Sequence, residues 1–149
     1  MVLARSYFRR ELYIEASSSY RQYLELFPQG DYEAEALLGL ARSLLRDARG
    51  PRYNPLPPYQ AASVCEDFMA RFPTSPELPQ ARDIYRRARE KLAEHYFRLG
   101  KWYVKMRETK SAAVYFEKVR EEYPRSEWAE RAAQLLDVLE GSGESSDEG

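Results

Sequence analysis

Leu99-Gly100-Lys101-Trp102-Tyr103, with Ala112, Phe116 and Pro124 following at fixed distances, carries the spacing that decides the fold. The same spacing opens the chain as Leu3-Ala4-x2-Tyr7-x8-Ala16-x3-Tyr20-x7-Pro28. It returns in the middle as Leu40-Ala41-x2-Leu44 with Ala61-x3-Cys65-x7-Pro73. A small residue after Leu, an apolar residue one turn on and a closing Pro, repeated at a period of about 34 residues, mark stacked helical hairpins. Such an array keeps its function in a groove, so the first functional expectation is protein or peptide binding.

The chain has 149 residues and is 44% apolar, enough for a packed core. The expected fold is all-α, a right-handed solenoid of about three to four tetratricopeptide (TPR)-like hairpins with one long helix. A repeat domain is expected over residues 1–140, and the acidic, polar segment Gly141–Gly149 is expected to be disordered. The formal net charge is −1. Basic residues concentrate between Arg82 and Lys110, but no run of five or six like charges forms a nucleic-acid arm. No stretch approaches the roughly 18 apolar residues of a membrane helix, so the chain as it stands is expected to be soluble. Met1–Arg5 is too short an apolar run for a signal peptide. The first repeat starts at its Leu-Ala pair, without the opening turn of its helix. The expectation is that further repeat sequence and any targeting segment lie upstream.

Apolar periodicity and Pro/Gly punctuation predict helices over about 2–9, 12–27, 32–46, 59–71, 76–106, 111–123 and 127–139. The fifth, about 30 residues and 45 Å long at ~1.5 Å per residue, exceeds what the repeat needs by about four turns. Leu44 and Ala61 lie 17 residues apart where Tyr7 and Ala16 lie 9 apart, a surplus of 8 that reads as a Pro-rich insertion at about 50–58. Its four prolines predict an extended excursion. It is either a passive surface loop or one that presents Tyr53 and Leu56 to a partner.

Catalysis needs convergent polar groups, and few are present. His95 is the lone histidine, with no nucleophile in register, and there is no phosphate loop and no His-Glu-x-x-His. Cys65, the single cysteine, excludes an internal disulfide or a Cys-rich zinc site and reads as buried core. No enzyme activity, cofactor or metal is expected.

The groove is more informative. Positions two and six after each repeat's leading residue are Arg5 and Arg9, Arg42 and Arg46, Arg87 and Lys91 (if Tyr85 heads a degenerate repeat), and Lys101 and Lys105. Residues one turn apart share a helix face, so each pair makes a small basic clamp, and stacked repeats would align the clamps as a ladder. One residue before each second cation stand Phe8, Leu45, Glu90 and Val104. Interleaved cations and apolar groups suit an extended peptide with aromatic residues and a carboxylate. The competing reading is a solvated surface, because helix ends favour Lys and Arg through the dipole.

Three corners, Phe27-Pro28-Gln29-Gly30, Phe72-Pro73-Thr74-Ser75 and Tyr123-Pro124-Arg125-Ser126, are each followed by an alanine (Ala36, Ala81, Ala132). With these corners, Lys91–Tyr103, Ser111–Val119 and the order of repeats, insertion and long helix, the chain from Leu3 to Leu139 resembles the outer-membrane assembly lipoprotein family of the BamD type. The resemblance implies a lipid-tethered scaffold on the periplasmic face of the bacterial outer membrane. It implies the barrel-insertase subunit and unfolded outer-membrane protein segments as partners. The family's signal peptide and lipid-bearing cysteine have no counterpart here, since Cys65 falls inside a helix. Two other readings stay open: a generic TPR adaptor of the periplasm or cytosol, such as a cell-division protein or co-chaperone, and an accessory domain of an upstream hydrolase.

Overall fold

The computed structural model describes residues 1–48 and 54–144. Among them run seven helices and no strand: α1 (Val2–Arg9), α2 (Tyr13–Leu26), α3 (Glu33–Asp47), α4 (Leu56–Arg71), α5 (Leu78–Lys105), α6 (Thr109–Glu122) and α7 (Glu127–Glu144). The chain divides into two compact units, Met1–Ala88 and from Arg89 onward, with the division inside α5. Each is all-α, and neighbouring helices pack in chain order, as a solenoid requires: α1 on α2, α2 on α3 and α3 on α4 in the first, α6 on α7 in the second.

At the three aromatic-proline corners the residue before the proline has one geometry, since proline bars it from helical dihedrals. Phe27, Phe72 and Tyr123 cap α2, α4 and α6 at φ/ψ of −129/59, −125/56 and −126/50°. Each N–H still donates four residues back, to Tyr23, Phe68 and Val119. Each carbonyl accepts the N–H three residues on, from Gly30, Ser75 and Ser126 at 3.1, 3.1 and 3.0 Å. In the first corner Gln29 has φ 62°, the left-handed third position of a type II turn with Pro28 before it.

A second repeated device ends α1 and α5. Leu12 N–H donates to Tyr7 O and Glu11 N–H to Phe8 O. Glu108 N–H donates to Tyr103 O and Arg107 N–H to Val104 O, all at 3.0–3.1 Å. These are Schellman closures, and they put Glu11 and Arg107 at φ 61° and 60°, where a Cβ is crowded. Glu11→Gly and Arg107→Gly are therefore each expected to raise unfolding free energy by about 1 kcal/mol, read from denaturant midpoints at unchanged m-value. A loss of stability would show that the two side chains contribute more than the strain removes.

In the first unit one core gathers Ala4, Ala16, Tyr20, Leu40 and Leu44, and an adjoining one Leu38, Ala41, Cys65, Phe68 and Ile84. Cys65 is fully buried there, and burial, reinforced by the Glu66 carboxylate, pushes its thiol up to about 12, so it packs as an apolar group. At the start of α3 the buried Glu33 carboxylate pairs with Arg71 of α4, which also bonds Asp67. The second unit closes on Leu92, Phe97, Phe116, Val119 and Leu136. Beside that core Tyr103, Tyr115 and Tyr96 stack with ring centroids 5.4 and 6.3 Å apart and planes within 11°, and Tyr123 continues the column 6.1 Å from Tyr96. Burial pushes His95 below its usual pKa, and its ring meets Tyr96 edge-on.

Two elements start or stop elsewhere than the sequence pattern predicts. Leu56, expected in the insertion loop, is the first residue of α4, its N–H bonded to Asn54 Oδ1 at 3.0 Å. Pro57 and Pro58 occupy the first turn, where a missing N–H breaks no intrahelical bond. Tyr53, the other residue the insertion was expected to present to a partner, lies outside the described residues, as do residues 49–52. Helix α7 continues to Glu144, with Ser142 Oγ donating to Leu139 O, so Gly141–Glu144 is helical where a disordered tail was expected. Residues 145–149 lie outside the described residues.

Candidate functional site

Helices α1, α2 and α3 enclose a concave pocket of about 180 Å³ in the first unit. Arg5, Phe8 and Arg9 reach it from α1, Glu35, Gly39 and Arg42 from α3, and Tyr20 from α2. The local reasons are periodic. Ala4 and Ala16 turn fully inward, so α1 and α2 pack closely, and the residues after Ala4 at spacings of one, four and five face the opening.

Tyr20 is 4% exposed and forms the floor. Its ring lies against the backbone of α3 at Gly39, where a Cβ would stand 2.8 Å from Tyr20 Cε2. Burial raises the pKa of the Tyr20 hydroxyl, an effect partly offset by Arg42. The floor therefore offers a neutral hydroxyl that can donate.

Charge around the rim is uneven. Arg5 pairs with Glu35, whereas the Arg42 guanidinium sits 5.9 Å from the centroid of Phe8 and touches Leu38 O only through a long 3.4 Å contact from Nε. Three arginines against one glutamate leave the pocket cationic. With Phe8 and the Tyr20 hydroxyl, it has the groups to hold a carboxylate beside an apolar side chain.

Of the residues expected to form a ladder, the pocket brings together Arg5, Phe8, Arg9 and Arg42. Leu45 does not join them. It is half-buried and packs against both cores of the first unit, outside the pocket lining. Arg46 is exposed on the last turn of α3, outside the pocket lining. Arg87 pairs with Asp83 at 2.9 Å along its own helix. In the second unit Lys91 is half-buried, and Lys101, Val104 and Lys105 are exposed on the last turns of α5, beside exposed Trp102 and Met106. Glu90 has a structural task, accepting the N–H of Glu127 at the start of α7 at 3.1 Å.

Sequence reasoning missed three lining residues. Tyr20 stood in the repeat pattern as a core aromatic, Gly39 sits one place before the Leu40-Ala41 pair, and Glu35 is one of two acids in the first turn of α3. Sequence spacing carries no signal for Glu35, because its partner Arg5 stands on a different helix.

Among the described residues no helix is long and apolar enough to cross a membrane. The family model described as YfiO, outer membrane lipoprotein, matches residues 1–140. No curated protein matches the chain.

Proposed function

The chain belongs to the YfiO outer membrane lipoprotein family, and from that premise we propose that it is a noncatalytic, TPR-like protein-binding scaffold of the BamD type. It works in outer-membrane protein assembly at the periplasmic face of the membrane, tethered by an N-terminal lipid. Its partners are the barrel-insertase subunit and unfolded segments of outer-membrane proteins. The observation that carries the reading is the pocket: three arginines, an aromatic ring and a tyrosine hydroxyl converge on one concavity formed by successive helices. That combination suits the carboxylate and aromatic side chain of an extended peptide, with the remaining contacts spread along the array. On the second unit, taken by itself, exposed Lys101, Val104 and Lys105 are proposed as a separate set of peptide contacts.

The test is titration calorimetry with a synthetic hexapeptide ending in phenylalanine with a free carboxylate, against the same peptide as its C-terminal amide. The expected outcome is tighter binding of the acid. Arg9→Gln together with Arg42→Gln is expected to weaken it about tenfold and to flatten its salt dependence, since about 1.4 kcal/mol is what charge-assisted contacts of this kind supply. Equal binding of acid and amide, or an unchanged affinity of the double variant, would leave the arginines as solvated surface.

A further inference from the structure

We infer that Glu35 is a built-in competitor for the pocket's ligand: its carboxylate occupies the guanidinium of Arg5 that an incoming carboxylate would otherwise take. The inference rests on the peptide-binding reading of the same pocket and adds a residue that sets its selectivity. Three observations support it. Glu35 and Arg5 both line the pocket, and they are paired with each other across α1 and α3. Arg42, the rim cation that α3 contributes, has no comparable carboxylate in the pocket, its contacts being the Phe8 ring and a long bond to a carbonyl. The Arg5 and Glu35 side chains are 43% and 37% exposed, so the pair is solvent-screened and can open by side-chain rotation alone.

The consequence is a graded selectivity. A single carboxylate docks first on the Arg9 and Arg42 side, where no acid must leave. A ligand that also needs Arg5 has to displace Glu35, and while the acid stays nearby it repels the ligand's charge. Only a ligand with a second acidic group, or one held firmly elsewhere, gains from opening the pair. Exposed ion pairs of this kind are weak, so Glu35 tunes affinity without closing the site.

The charge series at these two positions makes the test. Against the free-acid hexapeptide, Glu35→Gln is expected to bind about two- to fivefold tighter than the native protein. Arg5→Gln, which leaves the acid unpaired in the pocket, is expected to bind weaker by a similar factor, and the double variant to return close to the native value. The amide peptide is expected to change less than about twofold across the series. Thermal melts of the four proteins confirm that each is folded at the titration temperature. Glu35→Gln binding no tighter than native, in a protein whose Arg9→Gln/Arg42→Gln variant does lose affinity, would overturn the Glu35 inference and leave the pocket reading standing. Absence of carboxylate-dependent binding to the native protein would overturn both.

Discussion

Phe116→Ala is expected to lower the unfolding free energy by about 3–5 kcal/mol, the range for deleting a fully buried aromatic ring. Phe116 is 0% exposed and packs 5.6 Å from the ring of Phe97, among Leu92, Val119 and Leu136. The void it leaves cannot collapse readily. One wall is the backbone of α5 at Gly100, which Phe116 approaches so closely that a Cβ there would stand 2.6 Å from Cε1 and 2.9 Å from Cδ1. A helix backbone held by its own hydrogen bonds moves less easily than a side chain, so the lost contacts stay lost. Phe116→Leu keeps most of the volume and is expected to be destabilised by less than about 1.5 kcal/mol. Both tryptophans, Trp102 and Trp128, lie in this unit, and Trp128 sits 5.1 Å from Phe97. Their fluorescence in a urea titration therefore reports the right region. A loss below 1 kcal/mol for the alanine variant would mean that the helices close over the site.

Gly39→Ala is expected to reduce stability by about 2 kcal/mol even though alanine is the better helix former by about 1 kcal/mol. The opposing term is overpacking, about 1–3 kcal/mol for methyl groups forced into filled space, and the site stands at the severe end because three ring atoms of Tyr20 crowd the position. The ring is hemmed in by the core on one side and opens toward the pocket on the other. It is expected to swing outward, filling the concavity. Stability and carboxylate binding should therefore fall together. Placing the same substitution in a Tyr20→Leu background removes the crowding ring, and there Gly39→Ala is expected to be neutral or stabilising, a non-additivity that urea denaturation followed by circular dichroism can measure. A destabilisation of the same size in both backgrounds would show that Tyr20 is not the obstacle.

Much of the helix order was legible because the repeat writes it twice over, in apolar spacing and in punctuation. Phe27, Phe72 and Tyr123, each before a proline, adopt one conformation since the pre-proline restriction is local and needs no tertiary partner. Leu56 was misplaced for a related reason: proline disfavours a helix interior but suits its first turn, and composition alone does not distinguish the two. The basic pairs were legible as residues on shared helix faces. What they touch was not: Arg5 meets Glu35 and Arg87 meets Asp83, and only the second pair follows from sequence spacing.

The sequence by itself determined the all-α repeat, the corners and the presence of arginines at matching positions, because each depends on interactions within four residues or on a periodicity that every repeat restates. The tertiary structure decided which of those arginines share a pocket, that Leu45 turns into the core, that Tyr20 can serve as a floor because Gly39 carries no side chain, and that Glu35 neutralises Arg5. These depend on which faces of separate helices meet and at what distance, and that is set only when the helices pack.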